Sequence, residues 1–254
     1  MLRLIARIDV RNGFHVKTIG CEGVQKLRRV EESIEDFSVG ENEHDEIILI
    51  DTVASLYGFE NWLIRQSEID HLFCPIPLAV GGAIRNVKDA EETIGRGADK
   101  VVVNTAAIHR PLLLAELADK FGRQAVVLQV DVGLIGEEYF CFSNGAREKS
   151  RYRVPELLKL AQELGAGEIH VTSISTEGSN KNFPEDLAEI CKLATDLPII
   201  VSGGIRSAEW ILHLFNNHDI DSFSFSSMTN VLDQSMSQIR AQLTELGGIV
   251  RCLS

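Results

Sequence analysis

Two aspartates 122 residues apart, Asp9 and Asp131, each close a short apolar run, as Ile8-Asp9-Val10 and Val130-Asp131-Val132. A carboxylate at the end of a buried strand faces whatever lies beyond that end. Two such groups across one pocket can divide general acid and general base between them when their surroundings separate their pKa values. Either aspartate alone can equally do no more than cap its strand, but the repetition favours the chemical role. Val80-Gly81-Gly82-Ala83-Ile84-Arg85 returns as Val201-Ser202-Gly203-Gly204-Ile205-Arg206, and Asn104-Thr105 is echoed by Ser226-Ser227. Glycine lets a backbone approach an anion closely, and hydroxyl and amide side chains add donors. Two phosphate sites on opposite sides of one mouth are therefore expected, so that a ligand with a phosphate at each end lies across the aspartates. Lys17, in the first loop, can reach a phosphate or carbonyl, although a loop lysine is by default a solvated charge.

The elements that must carry these residues alternate from end to end. Strands are expected at 4–9, 46–51, 76–80, 100–104, 125–131, 168–173, 199–202 and 222–226. Helices are expected at 30–39, 60–71, 87–96, 111–121, 155–164, 184–195, 208–215 and 231–246, with Pro111, Pro155 and Pro184 where a first turn tolerates a missing N–H. Eight βα units in 254 residues without a linker match a single (β/α)8 TIM barrel spanning 1–254. The offset of 121 or 122 residues between matching motifs divides it into half-barrels of about 1–122 and 123–254. A doubly wound open sheet is the alternative, and the four-plus-four repeat favours closure. Residues 14–29 are expected to form a long irregular loop, and 136–151 either a loop or a hairpin.

Composition narrows the classes. Apolar residues make up 44% and charged residues 24%, as in ordinary globular proteins, and no apolar run is long enough to span a bilayer. The amino terminus lacks the pattern of a secretory signal, so a cytoplasmic location is expected. The five cysteines are scattered without a Cys-x-x-Cys pair, which fits a reducing compartment. A net charge of −12 argues against a nucleic-acid binder. No metal-ligand spacing and no dinucleotide fingerprint is present, so no cofactor is expected.

Charges also stand at the opposite ends of the strands. Arg3, Glu46, Lys100 and Glu168 each precede an apolar run. Their alternating signs allow a salt-bridged ring that closes the lower mouth, although such residues by themselves need only finish the core and add stability.

These residues carry a family resemblance. The chain resembles the cyclase subunit of imidazole glycerol phosphate synthase, the HisF family, over essentially its whole length. The likeness is strongest in Gly97-Ala98-Asp99-Lys100-Val101 through Asn104-Thr105-Ala106-Ala107, in Gln124-Ala125-Val126-Val127, and in Gly165-Ala166-Gly167-Glu168-Ile169 through Thr172-Ser173-Ile174. The resemblance implies that Asp9 and Asp131 match the acid/base pair and Lys17 the loop lysine. It implies that Gly81, Gly82, Asn104, Thr105, Gly178, Gly203, Gly204, Ser226 and Ser227 match two phosphate sites. Arg3, Glu46, Lys100 and Glu168 then match the family's ammonia gate, and Asp99 a contact to a separate glutamine amidotransferase, a HisH-like subunit in a heterodimer. The implied substrate is a bisphosphorylated formimino-aminoimidazole ribonucleotide.

Departures lie on the substrate side. Ser175-Thr176-Glu177-Gly178-Ser179 replaces the usual Asp-Arg-Asp-Gly-Thr, Ala83 stands for a third glycine, and Val-Gly-Leu follows Asp131 where a lysine is usual. The first loop also lacks the Gly-Asp-Pro turn. Retained delivery with a changed acceptor would leave this pattern. The alternatives are therefore a paralogue supplying ammonia for sugar amidation in surface-polysaccharide synthesis, or a non-catalytic ammonia-channelling scaffold. A related phosphoribosyl isomerase shares the symmetry but needs no charged ring.

Overall fold

In chain order the strands are β1 (Arg3–Arg11), β2 (Phe14–Ile19), β3 (Glu22–Arg29), β4 (Glu46–Asp51), β5 (Leu78–Gly81), β6 (Lys100–Val103), β7 (Val126–Ile135), β8 (Glu138–Ser143), β9 (Glu148–Arg153), β10 (Glu168–Ser173), β11 (Ile199–Ser202) and β12 (Ser222–Phe225). They are seen in a computed structural model that describes residues 1–66, 71–225 and 234–251. The helices are α1 (Val30–Ser38), α2 (Ala54–Tyr57), α3 (Val87–Gly95), α4 (Thr105–His109), α5 (Leu112–Phe121), α6 (Val154–Glu163), α7 (Glu185–Ala194), α8 (Ala208–His218) and α9 (Met236–Glu245).

Eight strands close a parallel barrel in the order β1-β4-β5-β6-β7-β10-β11-β12, with β12 pairing back onto β1. This is the expected (β/α)8 TIM barrel, and its strands fall at the eight expected places. Successive strand residues point alternately toward the helices and the axis. Leu4, Ala6 and Ile8 of β1 pack outward, whereas Ile5 joins Ile48, Ala79, Val102, Val127 and Ile200 inside. The helices present matching stripes. Val154, Leu157, Leu158 and Ala161 of α6 are buried at the spacing of one helical face. Caps fix where helices start: the Asn86 side chain accepts from Asp89 N–H at 3.0 Å, and Ser207 from Trp210 N–H at 3.2 Å.

Pairing advances round the barrel so that side chains of alternate strands share a height. From the bottom upward the axial layers are Glu46, Lys100, Glu168 and Ser222; Ile5, Ala79, Val127 and Ile200; Ile48, Val102, His170 and Ser224; and Arg7, Gly81, Gln129 and Ser202. Asp9 and Asp131 come at the top.

Two expectations fail. Residues 14–29 are not an irregular loop but the hairpin β2–β3, extending from β1 through Asn12-Gly13. Its alternation is carried partly by the buried His15 and Thr18, so it is hard to see as an apolar pattern. Its Gly20-Cys21 tip has φ of 58° and 65°, the conformation of a tight two-residue hairpin turn. The expected helix at 60–71 is absent from the described residues 60–66, which make a single turn. Asn61, Trp62 and Leu63 are buried in succession, and Asn61 is tied to Thr93 of α3 at 2.8 Å, so no one helical face could satisfy them. The 136–151 segment contains the turn of a second hairpin, β8–β9, joined to β7. Helix α9 begins at Met236, and the earlier part of the helix expected from 231 includes residues outside the described ones.

At the lower mouth the four charges form a closed cycle. Arg3 pairs with Glu46 at 3.3 Å and with Glu168; Lys100 lies 2.9 Å from Glu46 and 3.2 Å from Glu168. Both carboxylates are nearly inaccessible, and burial pushes the Glu46 pKa upward against the pull of Lys100 and Arg3. Removing one cation should leave buried negative charge undercompensated. Lys100→Met is expected to lower unfolding free energy by about 3 kcal/mol in urea at neutral pH. A loss below about 1 kcal/mol would mean that solvent screens the ring.

Candidate active site

The upper mouth is organised by a guanidinium. Arg7 and Asp9 are two residues apart on β1 and therefore face the axis together. Arg7 Nε and Nη2 each lie 3.0 Å from Asp9 Oδ1, and Nη1 donates to Thr172 at 2.9 Å and to Ser202 at 3.5 Å. All four side chains are buried. Burial disfavours the charged guanidinium, but Asp9 and the neighbouring acids more than offset it and raise the Arg7 pKa above the usual arginine value.

Asp9 is covered from above. The Thr18 hydroxyl lies 3.1 Å from Asp9 Oδ2 and 2.5 Å from Glu177 Oε1, while Glu177 Oε2 accepts the Cys21 N–H at 2.9 Å. Gly20 N–H also donates to the Glu177 carbonyl at 3.1 Å. The tip of β2–β3 is thus clasped to the loop after β10, and Asp9 is fully enclosed. Gly178 permits the contact, since a Cβ there would stand 2.3 Å from the Thr18 carbonyl oxygen.

Asp131 has a different environment. It lines a cavity of about 320 Å³ with Arg7, Cys21 and Gln129. Gln129 Nε2 donates to its Oδ1 at 3.0 Å, and Asn104 Nδ2 to its Oδ2 at 3.3 Å. Burial raises the Asp131 pKa; Arg7 and the Gln129 hydrogen bond oppose this, and Asp9 and Glu177 add to it. The two aspartates are chemically unequal: one is locked in an ion pair, and the other borders a cavity with its pKa raised by burial. Burial also pushes the Cys21 thiol well above its ordinary value, which suits a wall better than a nucleophile.

Gly82, Ala83, Asn104 and Thr105 line one flank of the cavity, joined by Arg85 and His109. Thr105 also accepts the Asn144 N–H at 3.0 Å, which ties the β8–β9 hairpin to this flank. Gly81 and Gly82 are close-packed: a Cβ on Gly82 would lie 2.4 Å from the Asp51 carbonyl oxygen. On the opposite side, Gly203 and Gly204 likewise meet their own chain. A Cβ would approach Ser173 O to 2.7 Å or Phe183 N to 2.5 Å, and the Gly204 carbonyl accepts the Phe183 N–H at 2.9 Å. Ser226 and Ser227 lie outside the described residues. Lys17 sits half-buried on β2, with no hydrogen bond or ion pair to the described residues; its neighbour Thr18 reaches the mouth instead. Asp99 is exposed beside the lower ring, its carboxylate accepting the Leu78 N–H at 2.8 Å.

Sequence reasoning missed Arg7, Thr18, Gln129 and the clasping role of Glu177. A signal existed for two of them, because each aspartate is preceded two residues earlier by a hydrogen-bonding side chain, as Arg7-Ile8-Asp9 and Gln129-Val130-Asp131. It also missed Glu185, His213 and His218 on the outer helices, where both histidine Nε2 atoms lie 2.9 Å from one Glu185 oxygen, away from the mouth. No helix among the described residues is long and apolar enough to cross a membrane.

Comparison with known proteins places the geometry in a lineage. Residues 3–226 match the histidine biosynthesis protein family. The imidazole glycerol phosphate synthase subunit HisF of Pelodictyon phaeoclathratiforme is 34% identical over 251 residues, covering 98% of each chain. The proteins of the same name from Chlorobium phaeovibrioides and Prosthecochloris aestuarii are 34% and 33% identical, again over 98% of each chain.

Two outcomes test the mouth. Because the Asp131 pKa is raised above its ordinary 3.8, the stability this group contributes is full below that value and is lost as pH rises through its folded pKa. Asp131→Asn should therefore gain stability relative to the parent as pH rises above the ordinary carboxylate range in thermal unfolding; a difference that is constant with pH would refute the shift. Gly178→Ala should unseat the β2–β3 tip. Hydrogen exchange at the Gly20 and Cys21 amides should accelerate about tenfold or more while β10 stays protected, as expected for a local opening.

Proposed function

The chain belongs to the histidine biosynthesis protein family and, within it, to the HisF family, and from that membership we propose that it is the ammonia-using cyclase subunit of an imidazole glycerol phosphate synthase. The observation that carries this reading is the barrel axis. A closed ring of Arg3, Glu46, Lys100 and Glu168 stands at one end, an unequal pair of aspartates at the other, and a core of mostly aliphatic side chains lies between.

In this reading a glutamine amidotransferase of the HisH type docks on the lower face, where Asp99 is exposed beside the ring, as one subunit of a cytoplasmic heterodimer. Opening one ion pair of the ring admits ammonia, and the apolar wall above it favours the neutral form over ammonium. A bisphosphorylated formimino-aminoimidazole ribonucleotide enters from above, with one phosphate against Gly82, Ala83 and Arg85. Asp131 exchanges protons with the reacting nitrogens, since it borders the cavity and burial raises its pKa toward the range of a proton-exchanging group. Asp9 acts from beneath by holding Arg7, whose positive charge faces the same cavity. Cyclisation yields imidazole glycerol phosphate and releases an aminoimidazole carboxamide ribotide.

One set of contacts favours a second reading. Glu177 and Gly178 clasp the hairpin over Asp9, and Gly203 and Gly204 are packed against their own chain. A bisphosphate spanning the mouth must displace part of this arrangement, whereas a smaller acceptor in the Asp131 cavity need not. That favours a paralogue delivering ammonia for amidation of a sugar in surface-polysaccharide synthesis.

Turnover of the bisphosphorylated ribonucleotide by the purified chain, with ammonium salt at alkaline pH, separates the readings. A cyclase turns it over, and Asp131→Asn lowers kcat by about 10²–10⁴-fold, the range of a lost general acid–base group. A folded chain that binds and activates a glutaminase but leaves the ribonucleotide unchanged supports the second reading. A non-catalytic scaffold would in addition be indifferent to Asp131→Asn in every ammonia-dependent product assay.

A further inference from the structure

Among the described residues, the barrel interior between the ring and Arg7 has two polar exceptions, and they share a layer. His170 of β10 and Ser224 of β12 stand at the same height as Ile48 and Val102, on neighbouring corners of that four-residue layer. His170 is fully buried, and neither of its ring nitrogens has a hydrogen-bond partner among the described residues. The Ser224 hydroxyl is buried and equally unpartnered. A neutral imidazole offers one donor and one acceptor, and a hydroxyl offers both functions. Such atoms are costly to leave bare in an apolar interior, and native cores commonly satisfy them with a small enclosed molecule.

The surroundings define what that molecule can be. Ile5, Ala79, Val127 and Ile200 form the layer beneath, and Arg7 stands in the layer above. Burial, with Arg7 above and Arg3 below, holds the His170 pKa well under the usual histidine value, so the ring is a neutral partner. The same two cations repel a positive guest, and the apolar walls penalise any ion. Protein interiors are close-packed, which favours a guest of a few atoms over an extended organic group. The guest is therefore neutral, about one heavy atom in size, and able both to donate and to accept. Access exists from the mouth, because the Asp131 cavity reaches down to Val102 of this layer.

We propose that His170 and Ser224 form a binding site for one neutral molecule of ammonia's size and hydrogen-bonding pattern, held by water at rest and by ammonia in transit. The acceptor nitrogen of His170 takes an N–H of ammonia, and the Ser224 hydroxyl donates to its lone pair. No proton is transferred, so ammonia stays neutral until it passes Arg7. The site deepens the ammonia-using reading above and rests on it for the identity of the transient guest.

The test uses the full chain labelled with ¹⁵N in its histidine rings, without substrate or partner. Spectra are recorded in ammonium chloride at alkaline pH, in ammonium chloride at mildly acidic pH, and in sodium chloride at equal ionic strength. The expected result is a saturable shift of a His170 ring nitrogen only in alkaline ammonium. The shift should be weakened by Ser224→Ala, and its signal identified by its loss in His170→Leu. If His170→Leu fails to fold, the Ser224→Ala comparison decides alone. A His170 signal that is identical in the three solutions, or a shift untouched by Ser224→Ala, overturns the site. The turnover assay judges the cyclase reading and the ring-nitrogen shift judges this site, so either can fail without the other.

Discussion

A guanidinium at the centre of a β-barrel must have its charge and its N–H groups met by protein, because water does not reach it freely. The Arg7–Asp9 pair meets most of that demand, and Thr172 and Ser202 meet the rest. An unpaired charge at this depth would cost several kcal/mol, so strands β1, β10 and β11 are held to one another by a polar requirement as well as by packing. The arrangement above follows from it. Asp9 has one oxygen committed to Arg7, its other oxygen is met by Thr18, and Thr18 in turn meets Glu177. The hairpin β2–β3 is thereby anchored over the mouth by a chain of hydrogen bonds that begins inside the barrel.

That chain makes two similar aspartates unlike each other. Both end an axial-facing position of a strand, and both follow a polar residue two positions earlier. A cation at that earlier position gives Asp9 an ion pair, whereas an amide gives Asp131 only a neutral hydrogen bond. At Asp131 burial outweighs the opposing pull of Arg7 and of the Gln129 hydrogen bond and raises its pKa. The difference between Arg7 and Gln129 thus determines which carboxyl group is suited to exchange protons with a ligand, and the cavity lies on the side of that group.

The lower ring obeys the same physics with a different outcome. Two cations and two carboxylates alternate, so each charge has two opposite neighbours and the set is compensated only as a whole. Between the ring and Arg7 the axis is largely apolar, and the unpartnered His170 and Ser224 stand out because every other polar group at these heights has a partner among the described residues or lies in the two charged clusters.

Much of this was legible in the chain itself. Strand positions, the parallel barrel, Asp9, Asp131 and the four lower charges all follow from apolar runs and from the polar residues that bound them. Those are local patterns set by the alternation of strand side chains. The helix expected at 60–71 failed because successive buried residues there answer to α3 rather than to a helical face, and the β2–β3 hairpin was hidden because polar residues carry its inward side. The glycines were read as room for anions, yet Gly82, Gly178, Gly203 and Gly204 all admit the protein's own backbone. The sequence by itself determined which residues end strands and which face the axis, since that depends only on neighbours along the chain. Only the tertiary structure decided that Arg7 meets Thr172, that Thr18 meets Glu177 and that the His170 ring nitrogens meet no hydrogen-bond partner among the described residues. Those facts depend on the register with which the barrel closes, which brings together residues about 160 positions apart.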